Sequence, residues 1–128
     1  MITKKFNIEV SAVTKYIEPR SAPEDNQYAF SYALTIKNTG NEPARLLRRH
    51  WFVKSDNGNI QEVQGEGVVG EQPKIKPGGI FKYSSWTMLQ TTTGHMEGRF
   101  LFISEDGTES WEDVTPFFFE VPGTRILN

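Results

Sequence analysis

Large apolar residues occupy every second position from Tyr28 to Ile36: Tyr28, Phe30, Tyr32, Leu34 and Ile36 lie on one side, with Ala29, Ser31, Ala33, Thr35 and Lys37 between them. A period of two predicts a β-strand with one buried face. Phe6, Ile8, Val10 and Ala12 share that rhythm, which slips phase at Val13 and so predicts a bulge or a strand end there. The run from Arg45 to Lys54 alternates less cleanly and resembles a short helix in places, but its Trp51-Phe52-Val53 end and the turn residues on both sides favour a strand. Asp56-Asn57-Gly58-Asn59 is a hairpin signal, because Asn and Gly tolerate the positive φ of tight primed turns. Ile60 and Val63 then begin a return strand.

Three further strands follow the same logic. Pro77-Gly78-Gly79 turns the chain into Ile80 to Trp86, where Phe81 and Tyr83 alternate with Lys82 and Ser84. Gly94 to Ile103 places Met96, Phe100 and Phe102 on one face; Glu105 to Thr108 turns, and Trp111 to Val121 returns. No segment carries a capped apolar stripe of helical period. Seven short strands separated by Gly, Pro and Asn turns predict an all-β, seven-stranded, immunoglobulin-like antiparallel sandwich. Its expected core is Tyr28, Phe30, Tyr32, Leu34, Ile36, Phe81, Tyr83, Phe100 and Phe102. Pro116 cannot donate to a ladder, so it marks an edge or a bulge in the last strand. Two loops, Glu18 to Gln27 and Gly65 to Lys76, exceed what a turn requires.

The chain has 128 residues, room for one domain at roughly 100 to 200 residues each, so residues 1–128 are read as a single unit. The absence of cysteine removes disulfides, Cys-ligated metal and thiol nucleophiles, and it permits a reducing compartment. Met1 to Glu9 lacks the apolar run of a leader, and no apolar stretch is long enough to cross a membrane. A cytoplasmic protein without a membrane association is expected. Residues 1–64 hold 9 basic and 7 acidic groups (+2) and residues 65–128 hold 5 and 9 (−4), together the net −2 of the chain. Neither half is a polycation, which argues against nucleic acid as a partner.

The string Glu62-Val63-Gln64-Gly65-Glu66-Gly67-Val68-Val69-Gly70-Glu71-Gln72-Pro73, followed by Ile75-x-Pro77-Gly78, resembles the ApaG family. Tyr16 with its acidic, proline-containing loop, Tyr28-x-Phe30-x-Tyr32, Ile36-x-Asn38-x-Gly40, Leu47-x-Arg49-x-Trp51, Tyr83-x-Ser85 and Met96-x-Gly98 extend the resemblance over almost the whole chain. The resemblance implies a small bacterial protein with a fibronectin-III-like sandwich and no established catalytic activity. It also implies a name linked to diadenosine-tetraphosphate metabolism and to cobalt and magnesium resistance. Similar domains appended to eukaryotic proteins, an F-box protein among them, look like interaction modules.

Gly65-x-Gly67-x-x-Gly70 satisfies the dinucleotide-binding pattern, whose glycines let backbone N–H groups approach a pyrophosphate. The helix that should follow is missing, so two readings stand: glycines that serve bulges and turns, or a helix-free backbone nest that takes an anion with help from Arg49 or Lys74. Arg45, Arg48, Arg49 and His50 cluster in the sequence. On a regular strand Arg45, Arg49 and Trp51 face one way and Arg48, His50 and Phe52 the other, leaving only two arginines to act together. His50 and His95, with Glu66, Glu71 or Glu97, match no metal-ligand spacing, so no metal and no cofactor are expected. No nucleophile, base and orienter assemble from the motifs, so no enzyme is expected. Consecutive Phe117, Phe118 and Phe119 must point to alternate faces, so one face lies outside the core, either as an interaction surface or under loops packed over the outer face. The function that follows is a noncatalytic binding module with a protein partner. The alternative is a phosphoanion or dinucleotide-binding protein that uses Gly65 to Gly70, with weak hydrolase activity at most.

Overall fold

The computed structural model describes residues 6–123. Met1 to Lys5, on which the reading of no leader partly rests, lie outside them. The strands are β1 (Ile8–Tyr16), β2 (Tyr28–Asn38), β3 (Ala44–Ser55), β4 (Ile60–Glu66), β5 (Lys74–Ile75), β6 (Ile80–Leu89), β7 (Thr93–Ser104) and β8 (Glu109–Glu120). Short 3-10 turns at Glu18–Arg20 and Pro23–Asp25 fill the first long loop. β1-β2-β6 form one antiparallel sheet and β4-β3-β7-β8 the other, with β5 paired to β3 beyond the end of β4. The fold is an antiparallel sandwich, as the alternation predicts. The seven expected strands are present, and the eighth, β5, is two residues long and too short to leave a periodic signal.

The core lies between the sheets. Phe30, Leu34, Ile36, Trp51, Val53, Met96, Phe100, Phe102 and Phe119 are fully buried. Tyr32 is buried with them, whereas Tyr28, Phe81 and Tyr83, also expected inside, are partly buried and pack against this cluster from its rim. The difference is one of position: Phe81 and Tyr83 lie on β6, an edge strand of its sheet, and Tyr28 is the first residue of β2, at the end of the sandwich. Trp51 meets Phe100 edge-on at 5.2 Å between ring centres and Phe117 at 5.9 Å, so one indole joins β3, β7 and β8. Asn38 is buried without penalty: its Nδ2 donates to Glu42 O (2.7 Å) and Ile75 O (3.0 Å), and its Oδ1 accepts from Gly40 N–H (3.0 Å).

Two sequence expectations are corrected. β1 neither bulges nor ends at Val13, since its register with β2 runs unbroken from Ile8 to Tyr16. Val13 is simply an outward apolar residue, and exposed apolar side chains are common on sheets. In β3 the register shifts between Leu46 and Arg48, so Leu47 is an inserted residue. The insertion leaves Arg45 exposed and turns Arg49 inward in phase with Trp51, so these two arginines do not share a face. Pro116 does mark both an edge and a bulge: β8 closes its sheet, and its register with β7 shifts between Met96 and Gly98.

Truncation of Trp51 or Phe30 to Ala should cost about 3 to 5 kcal/mol in urea denaturation. The same change at exposed Val13 should stay within about 0.5 kcal/mol.

Candidate functional site

The glycine pattern lies along the edge of β3, where the inserted Leu47 leaves backbone groups that β4 and β5 do not reach. Gly67 N–H donates to Leu47 O at 2.7 Å, and Gln72 Nε2 donates to the same carbonyl at 3.0 Å. Leu46 N–H donates to Pro73 O (3.0 Å), and Arg45 Nη1 donates to Gln72 O (2.8 Å). Between these stitches, Val68 and Glu71 exchange both backbone hydrogen bonds, at 2.8 and 2.9 Å, around Val69 (φ 48°) and Gly70 (φ 78°). Two successive positive φ values make this a tight primed turn.

The three glycines answer three different constraints. A Cβ on Gly65 would stand 2.8 Å from the Arg49 guanidinium, which lies across it. A Cβ on Gly67, at φ +63°, would stand 2.2 Å from Glu71 O. Gly70 has open space and needs only its positive φ. Arg49 Nη1 donates to Glu66 O (3.1 Å) and Gly67 O (3.0 Å), so the loop turns carbonyls toward the cation. That polarity is the reverse of an anion cradle, and the N–H groups of Gly67, Val68 and Glu71 are already taken. The structure therefore brings Arg49, Gly65 and Gly67 together and leaves Gly70 at the turn tip. Lys74 is apart from them on β5, ion-paired at 2.5 Å with Glu105 of the β7–β8 hairpin.

Arg49 is also the cation nearest a buried polar cluster. Burial raises the Tyr83 pKa far above the ordinary phenol value; Tyr32 adds to the rise, while Arg49 and the facing Trp51 indole oppose it. Tyr32 is raised by burial too, against the hydrogen bond of Ser85 and the charge of Arg49. Trp51 Nε1 and Tyr83 Oη face one another, yet neither completes a geometrically sound hydrogen bond.

The outer face of the five-stranded sheet carries a grouping that chain spacing did not reveal. Register sets His50 opposite Arg99, Arg99 opposite Asp113, and Leu101 opposite Trp111. The Arg99 guanidinium lies 4.1 Å from the Trp111 ring centre, and His50 lies 4.8 Å from Phe52 and 6.5 Å from Trp111. His50 Nε2 meets Glu62 Oε2 at 2.7 Å. Where β8 bulges at Pro116, Phe52, Glu97, Gly98, Arg99, Asp113 and Pro116 bound a concavity of about 330 Å³. Phe118 stands 69% exposed on the same strand. Each residue is visible in the sequence; only the strand pairing makes them neighbours. Among the described residues no three His, Cys, Asp or Glu side chains gather around a common point, and no helix is long and apolar enough to cross a membrane.

Fold and surface together define an all-β, fibronectin-III-like sandwich domain. The ApaG domain model matches residues 18–104, and the chain belongs to the ApaG family. It is 46% identical over 123 residues to Protein ApaG of Ectopseudomonas mendocina, covering 96% of this chain and 98% of that one. It is 41% identical over 120 residues to Protein ApaG of Xanthomonas campestris, covering 94% of each. The crystal structure of the putative ApaA protein from Bordetella pertussis is similar with a TM-score of 0.90 at 36% identity, covering 96% of this chain and 100% of that one. An X-ray structure of a structural-genomics target gives a TM-score of 0.88 at 44% identity, covering 94% of this chain and 92% of that one.

Three outcomes follow from the loop and the tyrosines. Gly67→Ala should cost about 1 to 3 kcal/mol through strain and the Glu71 contact, clearly more than Gly70→Ala, with urea midpoints giving the order. Pyrophosphate at about 10 mM, well above the roughly millimolar affinity a helix-free loop would offer, should leave the Gly65, Gly67 and Gly70 amide resonances in place. A saturable shift would restore the anion reading. For the tyrosines, a raised folded-state pKa means the unfolded chain loses its proton first, near pH 10. Their contribution to stability is thus complete below about pH 10 and falls as pH climbs toward the folded-state value. Tyr83→Phe should flatten that alkaline fall in urea midpoints.

Proposed function

We propose that this chain is a noncatalytic interaction module that holds a protein partner on the outer face of its five-stranded sheet. The observation that carries this reading is the aromatic ground around Trp111: an indole under a guanidinium, with Phe52 and His50 beside it and a concavity alongside. Trp and Arg are the residues that most often dominate protein interfaces, and they do so where a polar rim surrounds them. Here Glu62, Glu97, Asp113, Arg48 and Lys54 supply the rim. The concavity is about 330 Å³, at the lower end of the range typical of binding pockets and of a size for one inserted side chain. Nothing in this arrangement calls for bond-making chemistry, which is why the module is read as a binder. The phosphoanion alternative would need free, convergent N–H groups at Gly65 to Gly70, and no observation of the loop favours it.

The test compares tagged wild-type protein with a Trp111→Ser, Phe118→Ser double variant in cross-linking and affinity capture from the native bacterium. Both side chains are substantially exposed, so the fold should survive, as thermal melting will show. Loss of two anchoring aromatics should weaken a real partner by about 2 kcal/mol or more, roughly thirtyfold. Equal recovery of every captured protein by both forms would refute the assignment of this face.

A further inference from the structure

A second concavity lies at the opposite end of the sandwich from the β7–β8 hairpin, between the β3–β4 hairpin, the β6–β7 turn and the Pro23–Asp25 turn. Its volume is about 550 Å³, within the range usual for small-ligand sites. Six carboxamides line it: Asn26, Gln27, Asn57, Asn59, Gln61 and Gln90. Among the described residues Asp25 is its one charged lining residue, and Met88 supplies apolar wall.

The walls are fixed before any ligand arrives. Asn57 Nδ2 donates to Gln90 Oε1 (3.0 Å), Asp56 N–H to Thr91 Oγ1 (2.8 Å) and Gln90 N–H to Ser55 Oγ (2.9 Å), tying the hairpin to the turn. Gln61 Nε2 donates to Met88 O at 2.7 Å, joining the two sheets. These bonds leave much of the carboxamide capacity unused.

We infer that this cleft is a binding site for a neutral mono- or disaccharide. Each carboxamide offers two donors and an acceptor on one plane, which matches hydroxyl groups that donate and accept at once. The Asp25 carboxylate can take two neighbouring hydroxyls together, and Met88 gives the C–H face of a sugar ring something apolar to lie on. Among the described residues no Lys, Arg or His lines the cleft, so phosphates and carboxylates find no counter-charge from them and would meet Asp25. An apolar ligand would strand the carboxamides without partners, which is costly. This inference concerns a different end of the molecule and is independent of the partner-binding reading of the outer sheet face.

The experiment follows backbone and side-chain amide resonances of the full chain while glucose, galactose, mannose, N-acetylglucosamine, maltose, cellobiose and lactose are added in turn. At least one sugar should shift the side-chain NH₂ signals of Asn59, Gln27 and Gln90 saturably, with an affinity of about millimolar, ordinary for a small ligand of this kind. Gln27→Leu, on an exposed side chain with no internal bond, should weaken that binding about tenfold without changing the melting temperature. Gln90→Leu, which removes an exposed lining carboxamide, should weaken that binding likewise. The inference is overturned if no sugar shifts these signals at about 100 mM, a hundredfold above that affinity, or if the shifts survive both substitutions. It is equally overturned if an uncharged tetra-alanine peptide or inorganic phosphate binds there and the sugars do not.

Discussion

One inserted residue in β3 sets the phase on which the rest of the sandwich depends. Side chains on a strand alternate, so a slip of one residue exchanges the two faces. Ahead of Leu47, Leu46 points into the core; beyond it, Arg49, Trp51 and Val53 do. Without the insertion Trp51 would stand in solvent and His50 and Phe52 would be forced between the sheets. The cost of an insertion is a backbone carbonyl without a ladder partner, and the glycine loop supplies one through Gly67 N–H and Gln72 Nε2. Bulge and loop are thus two halves of one device, and the glycines are required by β3 as much as by their own turn.

Arg49 is the second consequence of that phase. Turned inward at the edge of the sheet, its guanidinium finds the carbonyls of Glu66 and Gly67 and comes close to the phenols of Tyr32 and Tyr83. An arginine brought out of water must be matched by acceptors, and the loop backbone provides them. Gly65 lacks a side chain because the guanidinium needs that space. The pattern that resembles a nucleotide-binding motif is accounted for by the packing of a cation against a backbone.

Much of the fold was legible in the sequence because β2 and β7 bury one face each and alternate cleanly, and because Asn57-Gly58 and Pro77-Gly78-Gly79 mark turns by their φ requirements. The irregular run from Arg45 to Lys54 looked ambiguous for a physical reason: it is one strand written in two phases. Val13 misled because an outward valine has the composition of an inward one. For the candidate site, the glycine positions were visible and their causes were not. Space beside Gly65 depends on a residue sixteen positions earlier, and the place of Lys74 depends on Glu105 across the sheet. The grouping of His50, Arg99 and Trp111 exists only through inter-strand register, which no local spacing encodes. Five of the carboxamides of the polar cleft come from three separate turns, each of which reads on its own as ordinary turn composition, and the sixth, Gln61, comes from β4.

The bulge at Pro116 has a bearing on how the protein behaves at high concentration. Phe117-Phe118-Phe119 is an uncharged aromatic run on the outermost strand of a sheet, the kind of segment that recruits strands from other molecules into fibrils. Pro116 stands immediately before it and Glu120 immediately after, while Thr14 Oγ1 donates to Phe118 O at 3.0 Å and occupies one of the carbonyls an incoming strand would use. A proline that cannot join a ladder, a charge and a capped carbonyl leave only a short stretch open to templating. The same irregularity that shapes a concavity on the outer face shortens the stretch of edge with which another chain could pair.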